Sequence, residues 1–99
     1  MHTIDILEEA LQLASASGWE IRHEWLGGAR GGACRLGQTH LLFVDRSLTA
    51  EEQLDQVLAG LRDQLHRSSD RDPFTAHFNA YLHAQPVSNE LKRCLATSR

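Results

Sequence analysis

The sequence predicts a small α+β domain in which an antiparallel sheet of about three strands is covered on one face by helices. Three observations lead to this prediction. Apolar residues recur at helical spacing near both ends of the chain, short segments between them have strand character, and glycines mark the boundaries. The 99 residues are 41% hydrophobic, which suffices for one compact core, so residues 1–99 are expected to form a single domain.

The first helix is predicted from Ile4 to Ser15, where apolar residues at helical spacing form one face: Ile6, Leu7, Ala10, Leu11 and Ala14. Thr3 is the predicted N-cap, because its side-chain oxygen can accept a hydrogen bond from the first turn. Gly18 is the predicted stop, since glycine readily adopts the left-handed conformation that ends many helices.

The first strand is predicted from Trp19 to Leu26. Strict alternation places charged residues on its outer face and the following residues on the face toward the core: Trp19, Ile21, His23 and Trp25. These aromatic rings are interpreted as core residues, with a ligand pocket as the alternative.

Residues 33–36 and 39–45 are predicted to form a hairpin around Gly37-Gln38, because glycine at the first loop position suits a type II′ turn. The second of these strands has apolar residues on both faces and is therefore predicted to be central in the sheet. The hairpin register sets two pairs opposite each other: Cys34 with Leu41, and Arg35 with His40.

A capping box formed by Thr49 and Glu52 predicts the start of the next helix. Its apolar stripe is long: Leu54, Val57, Leu58, Leu61 and Leu65. Gly60 lies within this helix and weakens it by about 1 kcal/mol relative to alanine, and we interpret it as a sign of close packing on the sheet.

Residues 66–72 are polar and predicted to be a loop, and Pro73 is the predicted first residue of the helix that follows. Its apolar stripe is short: Phe74, Phe78, Tyr81 and Leu82. Ser88 caps a last helix from Asn89 to about Ala96, with Leu91, Cys94 and Leu95 inward. The predicted order is α-β-β-β-α-α-α. Whether residues 74–82 pack on their own core or on another subunit stays open at this stage.

Composition excludes several classes of protein. The formal net charge is −3 and the arginines are dispersed, which argues against a nucleic-acid partner. The longest apolar run, residues 41–44, is far too short to span a membrane, and residues 1–5 lack the basic start of a signal peptide. We therefore predict a cytoplasmic protein in which Cys34 and Cys94 are reduced thiols.

The glycine-rich segment Gly27–Gly32 is one candidate site. Backbone amides of such a segment can cradle a phosphate, and the candidate anion-binding residues are Gly28, Arg30, Gly31 and Arg35. The segment lacks the spacing of a P-loop or of a dinucleotide fingerprint and leads into a strand. A wide turn between strands is the structural alternative.

Histidine and cysteine side chains give a second candidate. Cys34, His23 and His40 could hold zinc or serve a thiol enzyme, with zinc as the cofactor of that alternative. No C-x-x-C or H-x-x-x-H spacing occurs, and Cys34 and His40 are one residue out of phase in the hairpin register. No pair of carboxylates marks a predicted cleft, so no catalytic residue is assigned.

Residues 31–36 and 41–45, then 48–53 with the helix after them, together resemble a minimal zincin of the HExxH peptidase class found in bacteria. The resemblance covers about a third of the chain. It implies that the family's first histidine, glutamate and second histidine fall at Ala59, Gly60 and Asp63, none of which can bind zinc or activate water in that role. The resemblance therefore implies a non-catalytic relative that keeps the scaffold.

The leading expectation is a non-catalytic cytoplasmic module of a bacterium that binds a protein partner or forms a homodimer, since a short sheet leaves edges that must be covered or paired. One alternative is a metal- or thiol-dependent enzyme that uses Cys34, His23 and His40. The other is a phosphate or nucleotide binder that uses Gly27–Gly32. The sequence names no substrate, partner or pathway.

Overall fold

The computed structural model describes residues 2–28, 32–66, 73–84 and 87–96. Within them the elements follow the predicted α-β-β-β-α-α-α order: α1 (Thr3–Ala16), β1 (Glu20–Glu24), β2 (Gly32–Leu36), β3 (Thr39–Asp45), α2 (Ala50–His66), α3 (Pro73–Ala84) and α4 (Asn89–Ala96). The α+β class is confirmed. His66 ends α2, and the rest of the predicted loop lies outside the described residues. None of the described helices is long and apolar enough to cross a membrane.

The sheet has the order β1-β3-β2, so β3 is central as predicted. β2 and β3 pair antiparallel, and the predicted register of their hairpin is confirmed. β1, however, pairs parallel with β3, with Glu20 beside Leu41 and Glu24 beside Asp45. The sheet is therefore mixed, and the prediction of an antiparallel sheet is corrected for this one pair.

The connection between β1 and β2 explains the parallel pair. A tight turn would have paired these two strands with each other, whereas residues 25–31 lead from the end of β1 to Gly32, which lies beside Phe43 near the end of β3. β3 therefore lies between the other two strands. Sequence periodicity reports faces of a strand and carries no information on which strands are neighbours.

The hairpin turn has the predicted chemistry. Gly37 has φ +64°, and no residue other than glycine has a positive φ among the described residues, so Gln38 is ordinary. A positive φ at the first loop position alone distinguishes type II′ from type I′ turns. The type II′ prediction is confirmed.

The helices pack on one face of the sheet, which we call the helix face: Ile21, Ala33, Leu42 and Val44. Gly60 of α2 lies directly on it, because a Cβ atom at this position would be 3.1 Å from Leu42 Cδ1 and 3.3 Å from Ala33 Cβ. The interpretation of Gly60 as a close-packing residue is confirmed. The opposite face, which we call the open face, carries these residues: Glu20, Arg22, Glu24, Leu41, Phe43, Cys34 and Leu36.

Trp19 is buried in the core at 4% exposure, and its ring meets Phe78 edge to face at 6.5 Å. Trp25 was predicted to share that face, but β1 ends at Glu24 and the Trp25 side chain is 74% exposed. His23 is also exposed. The core interpretation is therefore confirmed for Trp19 and wrong for His23 and Trp25. Trp25 is exposed because it lies beyond the end of β1, where the alternation stops, whereas His23 is exposed within the strand. Phe78 and Leu82 lie in the core of this chain, and Tyr81 packs against it. These side chains of α3 therefore pack on their own core and not on another subunit.

Short polar contacts fix the helix ends. α1 begins at Thr3, so His2 and not Thr3 precedes the first turn, and the His2 N–H donates to Asp5 at 3.3 Å. The Thr49–Glu52 capping box is confirmed, with the Thr49 N–H donating to Glu52 Oε1 at 3.0 Å and the Glu52 N–H donating to Thr49 Oγ1 at 3.2 Å. The Thr49 N–H and hydroxyl stabilise the ionised Glu52 and lower the pKa of that carboxyl.

Ser88 caps α4 as predicted, since its hydroxyl oxygen accepts the Leu91 N–H at 3.1 Å. The same serine is tied to α1, because its N–H and hydroxyl donate to the Glu9 carboxylate at 2.9 and 2.5 Å. At the other end of α4, Arg62 Nε of α2 donates to the Cys94 carbonyl at 2.8 Å. These contacts hold α4 against both long helices.

The contact of Gly60 with the sheet makes a first prediction. Gly60→Val is expected to destabilise the protein by roughly 0.5–2 kcal/mol more than Ala59→Val, because overpacking a tight contact forces neighbours to shift at a cost of about 1–3 kcal/mol. Ala59 is the exposed neighbour on the same helix. Valine there loses helix propensity relative to alanine, whereas valine at position 60 gains it relative to glycine, so a larger loss at position 60 must come from the sheet contact. Urea unfolding of both variants measures the difference, and equal losses would contradict the packing assignment.

Candidate functional site

Asp45 is the most connected polar residue at the end of the parallel strands, and it is fully buried. Its Oδ1 accepts the Leu26 N–H at 3.0 Å, and its Oδ2 accepts the Gly28 N–H at 2.8 Å. Oδ1 also accepts the N–H and the hydroxyl of Ser47 at 2.9 and 2.7 Å. The backbone N–H of Asp45 donates to Gln56 Oε1 of α2 at 2.9 Å.

These contacts determine the protonation of Asp45. Burial alone disfavours the ionised carboxylate, but the hydrogen bonds from Ser47, Leu26 and Gly28 outweigh it and lower the pKa of Asp45 to about 2. The carboxylate is therefore ionised at neutral pH and has its acceptor positions filled by the chain itself. A group in this state is a structural anion and not a general base.

In the described part of the glycine-rich segment, the Gly28 N–H donates to the carboxylate of Asp45 of the same chain. Gly27 and Gly28 have φ +63° and +84°, a conformation that only glycine adopts freely, and it turns the Gly28 N–H toward the Asp45 carboxylate. Of the other candidate anion ligands, Arg30 and Gly31 lie outside the described residues. Arg35 lies toward the other end of β2, where its Nε donates to the Gly37 carbonyl at 2.9 Å.

The candidate metal ligands are not brought together. His23 pairs with Val44, four positions along β3 from His40, which corresponds to about 13 Å along a strand. Cys34 pairs with Leu41 and so points to the open face, while both histidines belong to the helix face. Among the described residues, no three His, Cys, Asp or Glu side chains are close enough to hold a metal ion.

A cleft lies between β2 and the last turns of α2, lined by Trp19, Ala33, Cys34, Arg35, His40, Asp63 and Gln64. Its volume of about 30 Å³ has room for one or two water molecules. Sites for small molecules occupy roughly 300 Å³ or more. The cleft is therefore too small for an organic substrate. Residues 33–35 of β2 form one of its walls.

The outer edge of β2 is a further feature that can bind another molecule. No described strand lies beyond β2 in the sheet, and four of its five residues are exposed. One of them is Leu36, whose 72% exposure is unusual for a leucine in a strand. Cys34 is also exposed, and both cysteines are free thiols.

The hairpin fixes which backbone groups of β2 point outward. Leu36 and Thr39 close the two-residue turn and form a hydrogen-bonded pair, and such pairs alternate along an antiparallel ladder. The pairs at Ala33 and Arg35 are therefore the ones without ladder bonds. Their N–H and C=O groups point away from β3, and we call these groups the β2 edge. Sequence analysis expected an unpaired sheet edge but could not identify β2 as the strand that carries it, because this follows from the order of the strands.

Comparison with models of known families, with curated proteins and with solved structures gives no match for this chain. The zincin resemblance remains a prediction on that account. The positions it involves are on α2: Ala59 is exposed, Gly60 is pressed on the sheet, and Asp63 lines the cleft.

The Asp45 contacts predict a strong effect of Asp45→Asn. We expect the melting temperature at pH 7 to fall by roughly 5–15 °C, because an amide nitrogen replaces one oxygen that accepts N–H donors in a buried site. Asp55→Asn is the matched control, since Asp55 is an exposed carboxylate on α2. An equal effect of the two changes would show that the Asp45 contacts contribute nothing.

The lowered pKa of Asp45 also predicts the pH dependence of stability. A carboxyl whose pKa falls from 3.8 to about 2 on folding stabilises the fold fully above about pH 4. This contribution is lost as the pH falls from about 4 to about 2. Thermal melts across that range are expected to fall less steeply for Asp45→Asn than for the unchanged chain, and parallel curves would contradict the assignment.

Proposed function

We propose that this chain is a non-catalytic interaction module that takes up an extended polypeptide segment along the β2 edge. The observation that carries this proposal is the outward-facing backbone of Ala33 and Arg35 on an exposed outer strand. Unpaired N–H and C=O groups in a row are a template for another strand, and addition of a strand to a sheet edge is a recurrent mode of peptide recognition.

The side chains beside the β2 edge favour a polypeptide as the ligand. The open face next to the edge offers Cys34 and Leu36, which an added strand can cover with its own apolar side chains. The helix face next to it offers the exposed Arg35. Backbone hydrogen bonds would supply affinity, and alternate side chains on the two faces would supply selectivity.

The non-catalytic part of the proposal is supported by the position of Gly60. This is the residue that occupies the place of the catalytic glutamate in the zincin resemblance. A Cβ atom there already meets Leu42 at 3.1 Å, so the site leaves no room for a glutamate side chain. We propose that α2 serves as the support of β2, and that the module works in the cytoplasm, where free thiols persist.

The proposal predicts a position-specific effect of proline. Peptides selected on the unchanged chain from a random displayed library are expected to bind Arg35→Pro about ten-fold more weakly, because proline removes the outward N–H and blocks the edge. Arg35→Ala loses the same side chain and keeps the N–H, so its affinity is expected to change less than about three-fold. Equal binding to both variants, or no selected peptide at all, would overturn the proposal.

A second measurement needs no variant. In the free protein the Ala33 and Arg35 amides are expected to exchange with deuterium quickly, whereas the Cys34 amide is bonded to β3 and exchanges slowly. A bound peptide is expected to slow Ala33 and Arg35 and to leave Cys34 unchanged. Protection that appears elsewhere and spares these two amides would place the binding on another surface.

A further inference from the structure

The sheet has two outer strands, and their charges make them different as partners for a second copy of this chain. On the open face of β1, Arg22 lies between Glu20 and Glu24 and contacts them at 3.1 and 3.9 Å. If β1 paired antiparallel with itself about Arg22, arginine would oppose arginine and Glu20 would oppose Glu24. Like charges directly opposite each other destabilise a strand pair, so self-pairing of β1 about its central residue is disfavoured.

β2 lacks the alternating charges of β1. Its single charge is Arg35, and antiparallel self-pairing about Cys34 sets Arg35 opposite Ala33 of the second copy. The same pairing sets Leu36 opposite Gly32, which has no side chain and leaves room for the leucine. Every one of the five residues of β2 finds a partner in this register. Centring the pair on Arg35 would oppose two guanidinium groups, and centring it on Ala33 would leave Leu36 beyond the strand.

The hydrogen-bond pattern agrees with this register. Cys34 directs its N–H and C=O toward β3, so two copies of Cys34 would face each other as a pair without hydrogen bonds. The neighbouring pairs, Ala33 with Arg35 in both directions, then consist of groups that already point outward. Backbone direction therefore permits this centre, and side-chain fit favours it over a centre at Ala33 or Arg35.

From these observations we infer that the segment bound at the β2 edge is β2 of a second copy, paired antiparallel about Cys34 in a two-fold symmetric dimer. This inference rests on the proposed function, because it uses the same edge. The dimer would have one continuous six-stranded sheet with the strand order β1-β3-β2-β2-β3-β1. The two open faces would form one continuous surface, on which the Cys34 side chains of the two copies lie side by side at the centre.

The contact area bears on the strength of this dimer. A standard interface has roughly 20–30 residues on each side, and β2 contributes five. Each copy also has a formal net charge of −3, which adds a weak repulsion. The dimer is therefore expected to be weak, with a dissociation constant of roughly 10 µM to 1 mM, and to form in a concentration-dependent way.

Sedimentation equilibrium of charge variants at Cys34 tests the register. Cys34 is exposed, so Cys34→Lys and Cys34→Asp are expected to fold normally, and each alone to dimerise about five-fold more weakly than the unchanged chain because like charges would meet at the two-fold axis. An equimolar mixture of the two is expected to recover the dimer. Failure of the mixture to associate better than either variant alone would overturn the register.

Oxidation by glutathione disulfide gives a second test on the unchanged chain. Directly opposed residues in a pair without hydrogen bonds have Cα atoms about 4.5 Å apart, within the range that a disulfide spans. Each Cys34–Cys34 bond would consume one glutathione disulfide and release two glutathione thiols. We expect a covalent dimer from the unchanged chain and from Cys94→Ser, and none from Cys34→Ser; a dimer linked through Cys94 would contradict the inference.

The outcomes separate this inference from the proposed function. A mass of 11.1 kDa at millimolar concentration, together with selected peptides that fail to bind Arg35→Pro, would overturn self-pairing and leave the strand-addition module standing. A dimer that survives in Arg35→Pro would place self-association on another surface. A concentration-dependent dimer that is lost in Arg35→Pro and kept in Arg35→Ala supports both.

Discussion

The Asp45 carboxylate is the contact on which the arrangement of the sheet depends. It is a buried anion whose acceptor positions are filled by the loop that leaves β1 and by the turn that leaves β3. Its own backbone N–H is bonded to Gln56 of α2. Asp45 thus joins the loop after β1, the turn after β3 and helix α2. Because each hydrogen bond favours the ionised form, the site is strongest at neutral pH.

The position of Asp45 also determines which strand is outermost. The chain leaves β1 beside Asp45 and enters β2 near the same end of β3, and the bonds to Leu26 and Gly28 hold the first part of that crossing. A chain that turned back directly after Glu24 would place β2 between the other strands, and its edge would be used. The outer position of β2 among the described strands is therefore consistent with the hydrogen bonds that hold Leu26 and Gly28 at Asp45.

Features of local origin could be predicted from the sequence, and features of long-range origin could not. The bounds of β3, the hairpin register, the Thr49–Glu52 capping box and the stripe of α2 follow from periodicity and turn chemistry. The parallel pairing of β1 depends on a loop that skips a neighbouring strand, and no periodicity reports this. The exposure of Trp25 depends on where β1 ends. In the sequence, Asp45 is the last residue of an apolar strand, where a buried carboxylate is expected to accept hydrogen bonds from a nearby loop. Its partners Leu26 and Gly28 could not be identified, because they lie 19 and 17 residues earlier.

A strand that binds another strand must itself be held, and the structure holds β2 on two sides. Its ladder with β3 fixes one edge, and α2 fixes its helix face through the contact of Gly60 with Ala33. A Cβ atom at position 60 would force Leu42 or Ala33 to shift, so glycine allows α2 to pack closely on the sheet at this point. An edge that is rigid before binding loses less conformational entropy when a partner pairs with it. Under the proposed function, the close contact at Gly60 would therefore favour binding at the β2 edge.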